Sequence, residues 1–196
     1  MNIQELEKPV GCIETMAAAH RSGGVTITKL IRYVGMSQKT AYSSLEKLMD
    51  LDLLKCEDLV DGGRTVRRYS TRDRAEKLAM YLDAVCTTMK ELERKNGTRN
   101  LNRLPVGSLA ILIKIYKEGF TTISDLREEG GMCGNTAYSA LGSLKESGLI
   151  FQEVESEFPR TVKMYKLTED GVYLGKILDL ADMAMMLIET SPLDSH

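Results

Sequence analysis

The chain of 196 residues contains no tryptophan, three phenylalanines, two histidines and four cysteines. Only His20 and His196 are available, and Cys12, Cys56, Cys86 and Cys133 are widely spaced and never form a C-x-x-C pair. The sequence therefore offers no zinc ligand set and no disulfide framework. The cysteines read instead as small buried hydrophobes. Long apolar runs are missing too: none reaches the roughly 18 residues needed to span a bilayer. The early acids Glu5, Glu7 and Glu14 occupy the region where a secretory leader would carry a basic start and an apolar stretch. A cytoplasmic chain that does not enter the membrane is expected.

Signatures of catalysis are absent as well. No G-x-S-x-G, G-x-G-x-x-G or Walker-type phosphate loop occurs, and Gly62-Gly63 and Gly130-Gly131 lack the following Lys-Ser/Thr. Carboxylates are numerous but follow solvated helix faces. We expect no enzyme, no metal and no cofactor.

A large excess of positive charge is also lacking: 26 Lys and Arg face 28 Asp and Glu, a net charge of −2. Distribution matters more than the sum, because phosphate binding needs clustered cations. Residues 1–96 hold 16 Lys/Arg against 14 Asp/Glu, and residues 97–196 hold 10 against 14. The first half is slightly basic and the second distinctly acidic.

What the chain does have is an internal repeat. Shifted by 96 residues, Pro9-Val10-Gly11 falls on Pro105-Val106-Gly107, Thr26-Ile27 on Thr122-Ile123, and Gly35-Met36 on Gly131-Met132. Thr40-Ala41-Tyr42-Ser43 recurs as Thr136-Ala137-Tyr138-Ser139, and Arg64-Thr65-Val66 as Arg160-Thr161-Val162. From Pro9 to Asp83, 24 of 75 positions are identical without a gap. So long a period denotes a duplicated domain rather than a solenoid. Two domains are expected, 1–96 and 97–196, joined at the polar stretch Asn96-Gly97-Thr98-Arg99-Asn100.

Each copy serves as a check on the other. Pro9 and Pro105 suit the first position of a helix, and Gly23-Gly24 and Gly119 end those helices. Thr26 and Thr122 suit the N-caps of a short second helix. Gly35 and Gly131 mark a tight turn into a third helix, over about 37–50 and 135–147. Its inner stripe is Ala41, Leu45, Leu48 and Met49, matched by Ala137, Leu141 and Leu144. The period then shortens towards two, predicting one hairpin over 53–59 and 65–70 with a turn at Asp61-Gly62-Gly63, and another over 149–154 and 161–167 with a turn around Glu157-Phe158-Pro159. Long last helices follow, over about 72–94 and 169–189. Leu78, Met80, Tyr81, Leu82, Val85 and Met89 line the first of them. Tyr173, Ile177, Leu180, Met183, Met186 and Leu187 line the second.

This order of a short helix, a Gly turn, a Thr-Ala-Tyr-Ser helix, an exit through Asp52-Leu53-Leu54 or Gly148-Leu149-Ile150, and a basic hairpin resembles winged helix-turn-helix transcription regulators of bacterial and archaeal type. The resemblance spans nearly the whole chain in two copies. It implies a mainly α fold with small β-hairpin wings (α+β), the third helix entering the DNA major groove and the wing lying on the backbone or minor groove. In copy one it places Ser37, Gln38, Lys39, Thr40, Ser43 and Lys47 on the reading helix and Arg64, Arg67 and Arg68 on the wing. In copy two the matching residues are Asn135, Thr136 and Ser139, with Arg160 and Lys163 on the wing. There, Glu153, Glu155 and Glu157 on the wing and Asp125, Glu128 and Glu129 before the reading helix would repel phosphates. Copy two thus either contacts DNA weakly or serves as a partner and packing domain. Tyr42 and Tyr138 share one slot, as rings packed on the wing or as backbone contacts.

The implied function is sequence-specific binding of double-stranded DNA by a transcription regulator, dimerising through the long last helices. The alternative is a protein–protein adaptor of chromosome-organising or polymerase-accessory type, which the acidic second copy and the Met-rich last helix would suit. Nothing in the sequence singles out an effector pocket.

Overall fold

A computed structural model describes residues 2–97, 101, 104–157 and 160–190, with Glu157 and Arg160 described in backbone only. The chain is of the α+β class, mainly helical with two small antiparallel hairpins. After a 3-10 turn at Ile3–Leu6 come α1 (Cys12–Arg21), α2 (Ile27–Lys29), continued by a wider π turn over Leu30–Val34, and α3 (Gln38–Asp50). The hairpin β1 (Leu54–Asp61) and β2 (Arg64–Thr71) leads into the long α4 (Glu76–Asn96). The same order then recurs as α5 (Ser108–Glu118), α6 (Ile123–Glu128), α7 (Gly134–Glu146), β3 (Ile150–Glu157), β4 (Arg160–Leu167) and α8 (Glu169–Thr190). The Phe158-Pro159 part of the second turn and Thr98–Asn100 of the linker lie outside the described residues.

The chain divides into two compact units. Unit 1 is Met1–Cys86 together with the chain from Leu180 onward, and unit 2 is Thr87–Asp179. The divisions fall inside the two long helices, so α4 ends in unit 2 and α8 ends in unit 1.

Each unit's core is built from the repeated positions. Met16, Leu30, Ala41, Leu45, Leu48, Leu53, Leu78 and Leu82 are buried in unit 1. Their equivalents Leu112, Leu126, Ala137, Leu141, Leu144, Leu149, Leu174 and Leu178 are buried in unit 2. Removing each leucine from water contributes about 1.5–3 kcal/mol, so the repeat has kept the residues that hold each unit together. Met49 of the expected stripe is only half-buried, and Ser44 takes the inward place.

Local signals set the helix ends. Thr26 and Thr122 cap α2 and α6, accepting the amides of Lys29 and Asp125. Gly35 and Gly131 turn the chain at φ 77° and 60°, a region open to glycine because it has no Cβ. Pro9 and Pro105 do not open their helices. Those begin at Cys12 and Ser108, behind N-caps Gly11 and Gly107 at φ 102° and 91°. A Cβ on Gly11 would stand 3.0 Å from the Thr40 methyl and 3.2 Å from Met36 Cε, and one on Gly107 would stand 3.2 Å from Met132 Cε. The Pro-Val-Gly, Gly-Met and Thr motifs are therefore partly one packing contact, written twice.

Each hairpin is tied to its helices at the base. Val25 and Tyr69 exchange both backbone hydrogen bonds (2.7 and 2.8 Å), and Thr121 and Tyr165 do the same (3.0 and 2.9 Å). Gly62 and Gly63, at φ 56° and 79°, form the two-residue turn of the first hairpin, which matches the twist of its strands.

Three further expectations are corrected. Cys12 and Cys86 are buried but Cys56 and Cys133 are exposed. Met80 points largely outward from α4. On α8, Tyr173, Met183, Met186 and Leu187 are exposed, and the inward stripe is Leu174, Leu178, Ala181, Met185 and Ile188. Helix α8 is apolar on several faces, so its period alone does not say which face is buried. Among the described residues no helix is long and apolar enough to cross a membrane.

Candidate nucleic-acid interface

The third helix of unit 1 forms because Ser37 caps it and Ala41, Leu45 and Leu48 give it one apolar stripe. That stripe turns the opposite face to water. Gln38 and Lys39 stand exposed in its first turn, and Lys47 is half-buried in its last. Among the described residues neither lysine forms an ion pair. Ser37 and Thr40 are partly committed to structure: Ser37 Oγ accepts the Thr40 amide at 3.1 Å and meets Thr40 Oγ1 at 2.8 Å. Ser43 is half-buried and donates to the Thr40 carbonyl. Tyr42, one turn beyond Gln38, is 51% exposed, and Tyr138 of unit 2 is 63% exposed. About half or more of each residue is thus in solvent. Burial raises the pKa of the Tyr165 hydroxyl on the second hairpin, and Tyr138 stands close enough to raise it further.

The hairpin's three arginines differ in setting. Arg64 is exposed at the turn. Arg67 is exposed and faces Asp58 across the register, Nε to Oδ1 at 3.7 Å, a screened contact of small worth. Arg68 is half-buried, and its Nη2 donates to the Gly23 carbonyl at 2.5 Å. The arginines therefore do not form one free cluster.

Unit 2 places Asn135 and Ser139 on the exposed face of α7, with Thr136 half-buried. Cys133 stands where Ser37 stands in unit 1, its sulfur 3.0 Å from Thr136 Oγ1. That hydroxyl draws the thiol pKa below its ordinary value. Lys163 is exposed opposite Val154, and Lys166 pairs with Glu153 at 2.6 Å. The Arg160 side chain lies outside the described residues. Glu155 and Glu128 are exposed, and Glu129 bonds Lys114 at 2.7 Å.

Sequence reasoning left out one group. Lys29 and Arg32 are exposed on the helical segment before α3, followed by Tyr33 at 81% exposure. Their equivalents one repeat later are Asp125, Glu128 and Glu129. The signal is in the sequence: the 96-residue offset leads from the acids of the second copy back to these cations.

Groups of three or more His, Cys, Asp or Glu side chains able to hold a metal are absent among the described residues. No family model matches the chain, and no curated protein matches it.

Proposed function

We infer that the chain is a sequence-specific double-stranded DNA-binding transcription regulator, built from two winged helix-turn-helix units and working in the cytoplasm. One observation carries the reading. In both units a short helix and a Gly turn precede a third helix with an exposed polar face, capped by Ser37 in unit 1, and a hairpin follows. In unit 1 that face carries Gln38, Lys39 and Tyr42, and the hairpin turn carries Arg64. Gln38 has the donor and acceptor to bond an adenine edge, and the cations suit phosphates. The exposed Lys29 and Arg32 of the preceding helical segment add two further cations to unit 1. Unit 1 supplies most of the affinity in this reading, and Asn135, Thr136, Ser139, Arg160 and Lys163 of unit 2 supply less.

The test is fluorescence anisotropy of a mixed-sequence duplex, titrated at several salt concentrations. Binding at micromolar protein, with log K falling steeply against log salt, is expected. Lys39→Glu with Arg64→Glu and Arg67→Glu should weaken it at least tenfold and flatten the salt dependence. Binding that ignores those charges would remove the proposed face.

Self-association through the last helix belongs to the same reading, since Met183, Met186 and Leu187 are 51%, 46% and 63% exposed. Light scattering should then give twice the chain mass. The adaptor reading rests on a different observation, the exposed acids of unit 2. It would gain if the chain ignored DNA even at low salt.

A further inference from the structure

We propose that Arg68 is the positioning residue of the first hairpin, holding it to the α1–α2 turn so that Arg64 and Arg67 are presented to DNA, rather than a phosphate contact itself. The inference rests on the DNA-binding reading for its functional half, and its structural half stands on geometry alone. Arg68 bonds the Gly23 carbonyl through Nη2 at 2.5 Å. Its side chain lies over Gly24, where φ is 134°. A Cβ on Gly24 would run into Arg68 Nε and stand 3.1 Å from its Cγ and Cζ. A side chain at position 24 would therefore push Arg68 aside, besides straining the backbone. The next residue, Val25, shares the two-bond bridge with Tyr69, which follows Arg68. Anchor and bridge are adjacent on both segments, so loosening one loosens the other.

The second copy supplies the comparison. The positions equivalent to Gly24 and Arg68 hold Phe120 and Met164. Among the described residues Phe120 is not in the left-handed region. Both members of the pair changed together, an aromatic replacing the bare backbone and an apolar chain replacing the guanidinium, while the Thr121–Tyr165 bridge stayed. A residue kept for phosphate contact has no reason to change in step with a turn glycine. A residue that packs on that glycine does.

Two substitutions break the anchor in opposite ways. Arg68→Met removes the guanidinium, and Gly24→Ala displaces it with every charge intact. In the full chain, amide hydrogen exchange at Val25 and Tyr69 should quicken about tenfold in both, with Thr121 and Tyr165 unchanged as the internal control. Duplex binding should weaken by a similar factor in both, while the slope of log K against log salt stays at the wild-type value. Arg67→Gln, which removes a contact, should lower that slope by about 0.9. A slope lowered by Arg68→Met with wild-type exchange rates would overturn the proposal, as would a silent Gly24→Ala. If the wild-type chain binds no duplex at any salt, the DNA reading fails. The exchange rates then decide the anchor alone: quickened rates uphold it and unchanged rates overturn it.

Discussion

Thr15 and Ser44 are fully buried, and their hydroxyl oxygens lie 3.0 Å apart. The equivalent positions of unit 2 are Ile111 and Ala140, equally buried. A hydrogen-bonded polar pair and an apolar pair therefore fill the same space in the same frame. Breaking such a pair costs more than replacing it, because the Thr15 hydroxyl is left with only the weak Met36 Sδ acceptor at 3.7 Å and keeps most of its desolvation penalty. Ser44→Ala should cost about 1–3 kcal/mol in urea denaturation. Adding Thr15→Ile should return stability to within about 1 kcal/mol of wild type; a double variant weaker than the single would refute this exchange. The cysteines separate along similar lines. Burial pushes the Cys12 thiol up to about 12, whereas exposed Cys133 is drawn below its usual value by the Thr136 hydroxyl. A lowered pKa means more thiolate at a given pH, so alkylation of native Cys133 should begin at lower pH than in a Thr136→Val variant. Mass spectrometry of the labelled peptide reads this directly, and coincident pH profiles would contradict it. Cys12 should stay unlabelled while the chain is folded.

At the scale of elements, the helix starts show what pattern reading can and cannot reach. The threonine caps and the glycine turns into α3 and α7 were legible because their chemistry is local: a side-chain oxygen takes an amide three residues on, and glycine takes a positive φ. The starts of α1 and α5 lie three residues beyond the prolines that the sequence suggests, because the deciding contact is distant. Gly11 is held by Met36 and Thr40, and Gly107 by Met132 and Thr136. Gly11→Ala and Gly107→Ala should each cost about 1–3 kcal/mol from backbone strain and crowding, measured as a lowered melting midpoint. An unchanged midpoint would mean that the neighbouring methionines give way freely. The same limit applied to the candidate site. Exposure of Gln38, Lys39 and Arg64 follows from the helical period and the turn. The engagement of Arg68 with Gly23 joins residues 45 apart and has no signature in either segment alone. Helix α8 misled for another reason, since several of its faces are apolar and period alone does not choose among them.

At the scale of the whole molecule, the repeat correctly marked two copies of one element order, yet the units are not the two halves of the sequence. Unit 1 takes the end of α8 and unit 2 takes the end of α4. Within unit 1 the buried Asp182 of α8 accepts the amide of Ile3 at 3.1 Å, and Ile3 and Leu6 are 1% exposed. Within unit 2, Glu93 of α4 accepts the amide of Leu101 at 2.5 Å. In both units a carboxylate from a long helix holds the segment leading in. A chain stopped after Asp179 should therefore lose protection first at the N-terminal turn. Limited proteolysis should cut near residues 3–10 before it cuts α5, and early cleavage of α5 instead would refute the pairing. The exchange of helix ends also sets an order of events during synthesis. Ile3 is translated 179 residues ahead of the Asp182 that accepts its amide, so unit 1 stays a nascent chain with an uncovered flank until the end of α8 follows, and unit 2 can close ahead of it.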